Sequence, residues 1–403
     1  MTSHPRLKKI MSWVSASLFF SLISLAAPNA LPAEEKPRAR DLGIPFEGTP
    51  GEWNAITDVK GVEVGQSTII FGEGKLDVGK GPARTGVTAI CPLGLNALKK
   101  SGSGVPAAYF ALNGAGEMTG TIAIEEFGVM LGPVLITNSV SIGTVRDAVI
   151  AWSREYITDP FILFTRTLPV VAETWDGFLN DIFGFHVQKH HVFEALNTAK
   201  GGPVAEGNVG GGTGMSVFQF KGGIGTASRV VQMDDKKYTV GVLVQANFGG
   251  RHQLRIAGVP VGLEITDLMP AEKPGSSQGS SIIIIVATDT PLLPIQLKSI
   301  AKRAAMGLAR TGSTANWSSG DIFLAFSTAN PYEMGDPVLR SLRCIPTPGM
   351  TPFYEATVQA TEEAIINALI AAETMTGIDG HTVYAIPHDR LKQVLKKYNR
   401  LVE

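Results

Sequence analysis

Gly275-Ser276-Ser277-Gln278-Gly279-Ser280-Ser281-Ile282-Ile283-Ile284-Ile285-Val286-Ala287-Thr288-Asp289 is the stretch on which the fold turns. Residues 269–281 are the most loop-like part of the chain, built from small, polar and proline residues. They stop abruptly at five aliphatic residues, Ile282 to Val286, which read as a strand buried on both faces. Ser281 stands at the boundary, at the rigid edge of a sheet, with a flexible segment on its N-terminal side. If the Ser280–Ser281 bond is cut, Ser281 becomes a new N-terminus. A free α-amine has a pKa of roughly 7.7–8.0 and accepts a proton near neutral pH. It can therefore activate the hydroxyl of its own residue, as in N-terminal-nucleophile enzymes. On this reading Ser280 supplies only the scissile carbonyl. The residues alone leave a plainer alternative open, an uncut surface loop before a strand.

Outward from this junction, strands are expected at Val62–Val64, Thr88–Cys91, Pro133–Asn138, Leu168–Glu173, Met215–Phe220, Thr226–Met233, Tyr238–Asn247 and Ile322–Ser327. Met233 to Lys237 reads as a hairpin turn. Helical spacing marks Ile142–Tyr156, Val187–Ala199 and the segment carrying Leu293, Leu297, Ile300 and Leu308, stopped by Gly312. Tyr354–Thr374 reads as a long helix with Val358, Ile365, Leu369 and Ala372 on one stripe. Pro37–Ala55, rich in proline and glycine, reads as a surface arm. Runs of strands mixed with paired long helices point to sheets covered by helix layers.

Composition narrows the function. The 403 residues are 44% hydrophobic and 18% charged, against a typical ~25% charged, so the chain is globular. A formal net charge of −1 gives no electrostatic case for nucleic acid. Residues 1–33 read as a secretory signal: Arg6, Lys8 and Lys9, then a short apolar run from Met11 to Ala27, then small residues. The run is shorter than the ~20 residues that span a bilayer, and an uncleaved anchor is the alternative. Its removal takes three of the 35 basic residues and none of the 36 acidic ones, leaving net −4. The expectation is an exported protein, periplasmic or secreted, with no stable membrane span afterwards. Cys91 and Cys344 read as two buried thiols, with one disulfide as the alternative.

Three motifs are set aside. Gly275–Gly279 matches G-x-S-x-G around Ser277, but a nucleophile elbow needs a strand before it and a helix after it. Gly74–Gly81 resembles a P-loop but has Gly81 where the magnesium-binding hydroxyl belongs. Gly207–Gly214 is able to cradle an anion, but a strand follows it and a tight turn is the favoured reading. The seven histidines form no ligand pattern, His190 and His191 being adjacent rather than four apart.

Several separated segments carry a resemblance. They are Pro45–Gly51, Asn54–Val59, Leu112–Gly114 through Thr119-Gly120, and Gly207–Met215; then Ala287-Thr288-Asp289 through Leu292–Pro294, Gly307–Gly312 and Ser319–Thr328. From Asp41 to about Asp389 the chain resembles the L-aminopeptidase/D-esterase and β-peptidyl aminopeptidase family of self-processing serine peptidases.

The resemblance implies a four-layer αββα sandwich, an α/β architecture of the self-cleaved N-terminal-nucleophile kind. It implies a large subunit, about 34–280, and a small one, 281–403, that stay associated. The nucleophile falls on Ser281, with Ser280 before the cut and as the fallback. Ser319 and Asp321 match a second serine and an acid two positions on, the acid holding Ser319 and Ser319 orienting the Ser281 proton. Asn247 matches an oxyanion-stabilising asparagine. Glu173 is the candidate for the substrate ammonium, and Trp175 lies beside it in the substrate site. The implied reaction releases the N-terminal residue from small peptides, amides or esters, of α- or β-amino acids, through an acyl-enzyme. No metal or organic cofactor is required, and a homo-oligomer, a tetramer of cleaved pairs, is implied. The alternatives are an acyltransferase of the same fold, whose known relatives use threonine, and an exported non-catalytic binding protein.

Overall fold

The computed structural model describes residues 36–100, 102–270, 280–333 and 340–402, and Pro37–Glu403 form one compact unit. Residues 1–33, expected to be a signal, and the Gly275–Gly279 motif lie outside the described residues. Two sheets carry the fold. The first is formed by β1 (Glu63–Phe71), β2 (Ala83–Cys91), β5 (Val134–Asn138) and β6 (Val170–Thr174), in that order. The second has the order β4-β3-β10-β9-β8-β7, with β3 Val105–Gly114, β4 Val129–Met130, β7 Gly223–Met233, β8 Lys236–Asn247, β9 Ser280–Thr288 and β10 Ser319–Ser327.

Side-chain alternation along β9 shows how the layers form. Ile282, Ile284 and Val286 pack with Leu297, Ile300 and Leu308 of helix α3 (Pro294–Arg310) and with Ile365 and Leu369 of helix α4 (Thr351–Ile370). Ile283, Ile285 and Ala287 face the first sheet, against Ile90, Ile136 and Val170. Beyond that sheet, Val149 and Trp152 of helix α1 (Ile142–Tyr156) and Val192 and Leu196 of helix α2 (Lys189–Asn197) cover Leu135 and Val171. The result is the αββα sandwich. All five residues from Ile282 to Val286 are fully buried. At roughly 2 kcal/mol per aliphatic side chain, they hold β9 in place by about 10 kcal/mol.

Four expectations need correction. Met215–Phe220 is not one strand; Ser216–Val217 and Phe220–Lys221 pair as a tight hairpin, with Phe218 and Gln219 at positive φ. The arm Pro37–Ala55 is anchored rather than superficial: Ala39 and Ile44 are buried, and Arg40 and Arg229 both bind the buried Glu363, at 2.7 and 2.6 Å. A carboxylate inside a helix layer needs such cations. Helix α4 is buried around most of its circumference, not along one stripe. Cys91 is a buried free thiol, but Cys344 is exposed.

Gly74–Gly81 lies in the link between antiparallel β1 and β2, so no P-loop helix follows it. Among the described residues no helix is long and apolar enough to cross a membrane, and no group of three metal-ligating side chains converges.

Candidate active site

Three adjacent strands of the second sheet end together. In the ladders, Asn247 of β8 pairs with Ser281 of β9, and Ser281 pairs with Gly320 of β10. Ser319 and Asp321 flank that glycine and are both buried. Gly320 is required by close approach: a Cβ there would lie 2.9 Å from the Ala115 carbonyl and from Gly116 Cα. The Ala115–Glu117 segment therefore comes directly against the strand ends.

Hydrogen bonds divide these residues into two groups. The Ser281 hydroxyl donates to the Ser280 carbonyl at 2.5 Å, and the Gly320 N–H points at Ser281 Oγ from 3.4 Å. Separately, Ser280 Oγ donates to Ser319 Oγ at 3.0 Å, and Ser319 Oγ donates to Asp321 Oδ1 at 2.6 Å. Ser319 thus engages Ser280 in the uncut chain rather than Ser281. Burial pushes the Asp321 carboxyl up to about 6, against the Ser319 hydroxyl and the Ile282 N–H, which pull it down.

Across the gap, β6 presents Glu173. The Glu117 N–H donates to its Oε1 at 3.0 Å, and the Ser139 hydroxyl donates to Oε2. Burial raises its pKa; the two hydrogen bonds oppose that, and the nearby Glu117 charge adds to it. Among the described residues no arginine or lysine pairs with it. A buried carboxylate held by two donors and facing a cavity without a countercharge is a site for a cation.

Asn247 ties the two sheets at this end. Its Nδ2 donates to the Trp175 carbonyl and its Oδ1 accepts from the Ser216 N–H, both at 2.8 Å. One amide hydrogen is left for another acceptor. Two residues earlier, Gln245 Nε2 donates to the Thr137 carbonyl at 2.9 Å and to Thr174 Oγ1 at 2.8 Å. The glycine-rich segment runs beneath this bridge. A Cβ on Gly211 would sit 2.1 Å from Gln245 Oε1 and 2.6 Å from the Ile136 carbonyl, so the motif serves packing between the sheets.

A cleft of about 450 Å³ joins these parts, lined by Ala115, Ser139, Glu173, Trp175, Ser280, Ser281 and Ser318. The half-buried Trp175 ring meets Phe183 edge-on at 6.3 Å. The structure therefore brings Ser281 and Ser280 into one cleft with Glu173 and Trp175. Ser319, Asp321 and Asn247 do not line that cleft; they lie behind it, joined to it through hydrogen bonds to Ser280 and to the Trp175 carbonyl. Sequence reasoning missed the Glu117 and Gly320 amides and Ser139. Leu112–Gly120 carried part of the resemblance, but its role depends on strand pairing.

The fold, taken with the relatives that share it, is that of the Ntn hydrolases, here of a hydrolase acting on peptide bonds. The model of peptidase family S58 matches residues 54–383, and the chain belongs to that family. It is 55% identical to the β-peptidyl aminopeptidase BapA of Sphingosinicella microcystinivorans, over 91% of this chain and 94% of that one. It is 50% identical to the enzyme of the same name from Sphingosinicella xenopeptidilytica, over 93% and 94%. Among solved structures, the L-aminopeptidase D-Ala-esterase/amidase of Ochrobactrum anthropi superposes with a TM-score of 0.84 at 48% identity, covering 91% of this chain and all of that one. That protein is described as a prototype of the serine aminopeptidases and a variant of the Ntn-hydrolase fold. Aminopeptidase activity is the function these findings support for this chain.

Proposed function

We propose that the chain is an exported, self-processing serine aminopeptidase with Ser281 as nucleophile. The observation that carries this reading is the cleft itself. A serine at the start of a rigid core strand faces the same cavity as a buried carboxylate without a described cation. Ser281 first attacks its own preceding carbonyl and, once its α-amine is free, the carbonyl of the substrate's N-terminal residue. The amine takes the hydroxyl proton, Ser319 and Asp321 hold that amine, and the spare Asn247 amide hydrogen with the Gly320 N–H receives the developing oxyanion. Water then releases the amino acid from the acyl-enzyme. The two Sphingosinicella relatives support β-amino residues among the substrates, and the Ochrobactrum protein, an L-aminopeptidase and D-Ala-esterase/amidase, supports L-amino residues and D-alanine esters and amides. The acyltransferase and binding-protein alternatives lose their support to the family match.

In this reading Glu173 selects substrates with a free amine. Glu173→Gln keeps the shape and one acceptor but removes the charge. The expected result is a rise of roughly 100-fold in KM for aminoacyl anilides, in line with the ~2–3 kcal/mol of a charged, desolvated hydrogen bond. Turnover at saturation changes far less. Steady-state kinetics with a free-amine substrate and its N-acetyl counterpart measure this. Unchanged KM, or efficient cleavage of the N-acetyl compound by the unaltered protein, contradicts the aminopeptidase assignment of Glu173.

A further inference from the structure

We propose that Ser280 is a positioning residue for self-cleavage, its hydroxyl occupying the Ser319–Asp321 relay until the chain is cut. The inference rests on the reading of Ser281 as nucleophile. Its basis is the pairing of β9 and β10. Ser280 stands opposite Ser319 in the parallel ladder, and Ser281 stands opposite Gly320. Alternation sets Ser280 on the face of Ile282 and Phe323, toward the helices, and Ser281 on the face of Ile283 and Ile322, toward the other sheet. Ser319 and Asp321 share the Ser280 face by the same two-residue period. Accordingly the 3.0 Å contact to Ser319 comes from Ser280, while the Ser281 hydroxyl lies 2.5 Å from the scissile carbonyl oxygen.

The hydroxyl of Ser280 thus does two things. It fixes the rotation of its own residue, so that the Ser280 carbonyl stays against Ser281 Oγ. It also keeps the relay engaged while Ser281 has no free amine. Ser281 Oγ attacks the Ser280 carbonyl carbon, a C–O bond forms, and the C–N bond breaks. The hydroxyl proton passes to the leaving nitrogen, which becomes the Ser281 amine. Water hydrolyses the resulting ester, giving a Ser280 carboxylate and restoring the Ser281 hydroxyl. Departure of Ser280 then frees the place beside Ser319 for the new amine. One relay serves two donors in succession.

The test follows chain splitting after rapid cell-free synthesis of the full chain, read on denaturing gels. Ser280→Ala is expected to split about tenfold more slowly, the rate equivalent of one positioning hydrogen bond. Ser280→Thr, which keeps the hydroxyl, restores the rate. Because Ser280 acts through Ser319, the double variant Ser280→Ala/Ser319→Ala splits no more slowly than Ser319→Ala alone. Splitting of Ser280→Ala at the unaltered rate overturns the proposal, as do effects of the two alanines that multiply. In those cases an uncut Ser281→Ala leaves the nucleophile reading standing. If Ser281→Ala still splits, that reading fails and the Ser280 proposal fails with it.

Discussion

Ser281→Ala yields a single uncut chain and no measurable peptidase activity, although the fold is kept. Ser281 is buried at a strand end, and the hydroxyl contributes little to packing. Without it no bond forms to the Ser280 carbonyl, and no acyl-enzyme forms on any substrate. Removal of a nucleophile costs on the order of 10⁶ in turnover in serine peptidases. Here the loss is doubled in kind, because an uncut chain also lacks the free amine. Ser281→Cys retains part of the splitting, since a thiol is also a nucleophile. Circular dichroism establishes that the alanine variant is folded, and anilide hydrolysis measures the loss. A folded Ser281→Ala variant that still hydrolyses substrate removes Ser281 from the mechanism.

Asp321→Asn is expected to lower turnover by roughly 10²–10³-fold, the contribution of a positioned proton acceptor. The pH profile separates this from a structural effect. Burial raises the Asp321 carboxyl to about 6. As pH falls through that value the carboxylate takes a proton and loses the charge that holds Ser319, so a decline of tenfold per pH unit at saturating substrate adds to the one that protonation of the Ser281 α-amine sets at higher pH. The asparagine variant keeps the limb set by the amine and lacks this second one. The stability effect has the opposite sign. Because the folded value lies above the ordinary 3.8, the neutral form is the one the fold prefers. Asp321's favourable contribution is complete below the unfolded value and is lost as pH rises through about 6. Asparagine, never charged, therefore leaves the melting temperature at neutral pH unchanged or higher. A second acidic limb near 6 that persists in Asp321→Asn, or unchanged turnover, contradicts the role given to this residue.

Much of the second sheet was legible because its strands are rich in β-branched residues. Ile282–Val286, Tyr238–Asn247 and Thr226–Met233 were placed within a few residues of β9, β8 and β7. By contrast β3, Val105–Gly114, escaped, since Pro106 and the alanines at 107, 108 and 111 carry weak strand propensity. It is a strand because β10 and helix α3 supply its context. The Ser216–Lys221 hairpin escaped because Phe218 and Gln219 take a backbone conformation that side chains of their kind seldom adopt. The order of strands and helices pointed to layers, but the four-layer arrangement and the roles proposed for Ser319, Asp321, Asn247 and Glu173 came through family resemblance, not through periodicity. What neither route conveyed is the register between β9 and β10, residues 39 apart at Ser280 and Ser319. That register decides which serine meets the relay, and it exists only once the parallel pair has formed.

The most direct measurement is the intact mass and N-terminal sequence of each chain in the purified protein. The expected result is two chains that co-purify without a covalent link, the smaller beginning at Ser281, the larger ending at Ser280 and lacking the signal segment. A single chain spanning the 280/281 junction in active protein, or a small chain that begins at any other residue, contradicts Ser281 as the N-terminal nucleophile.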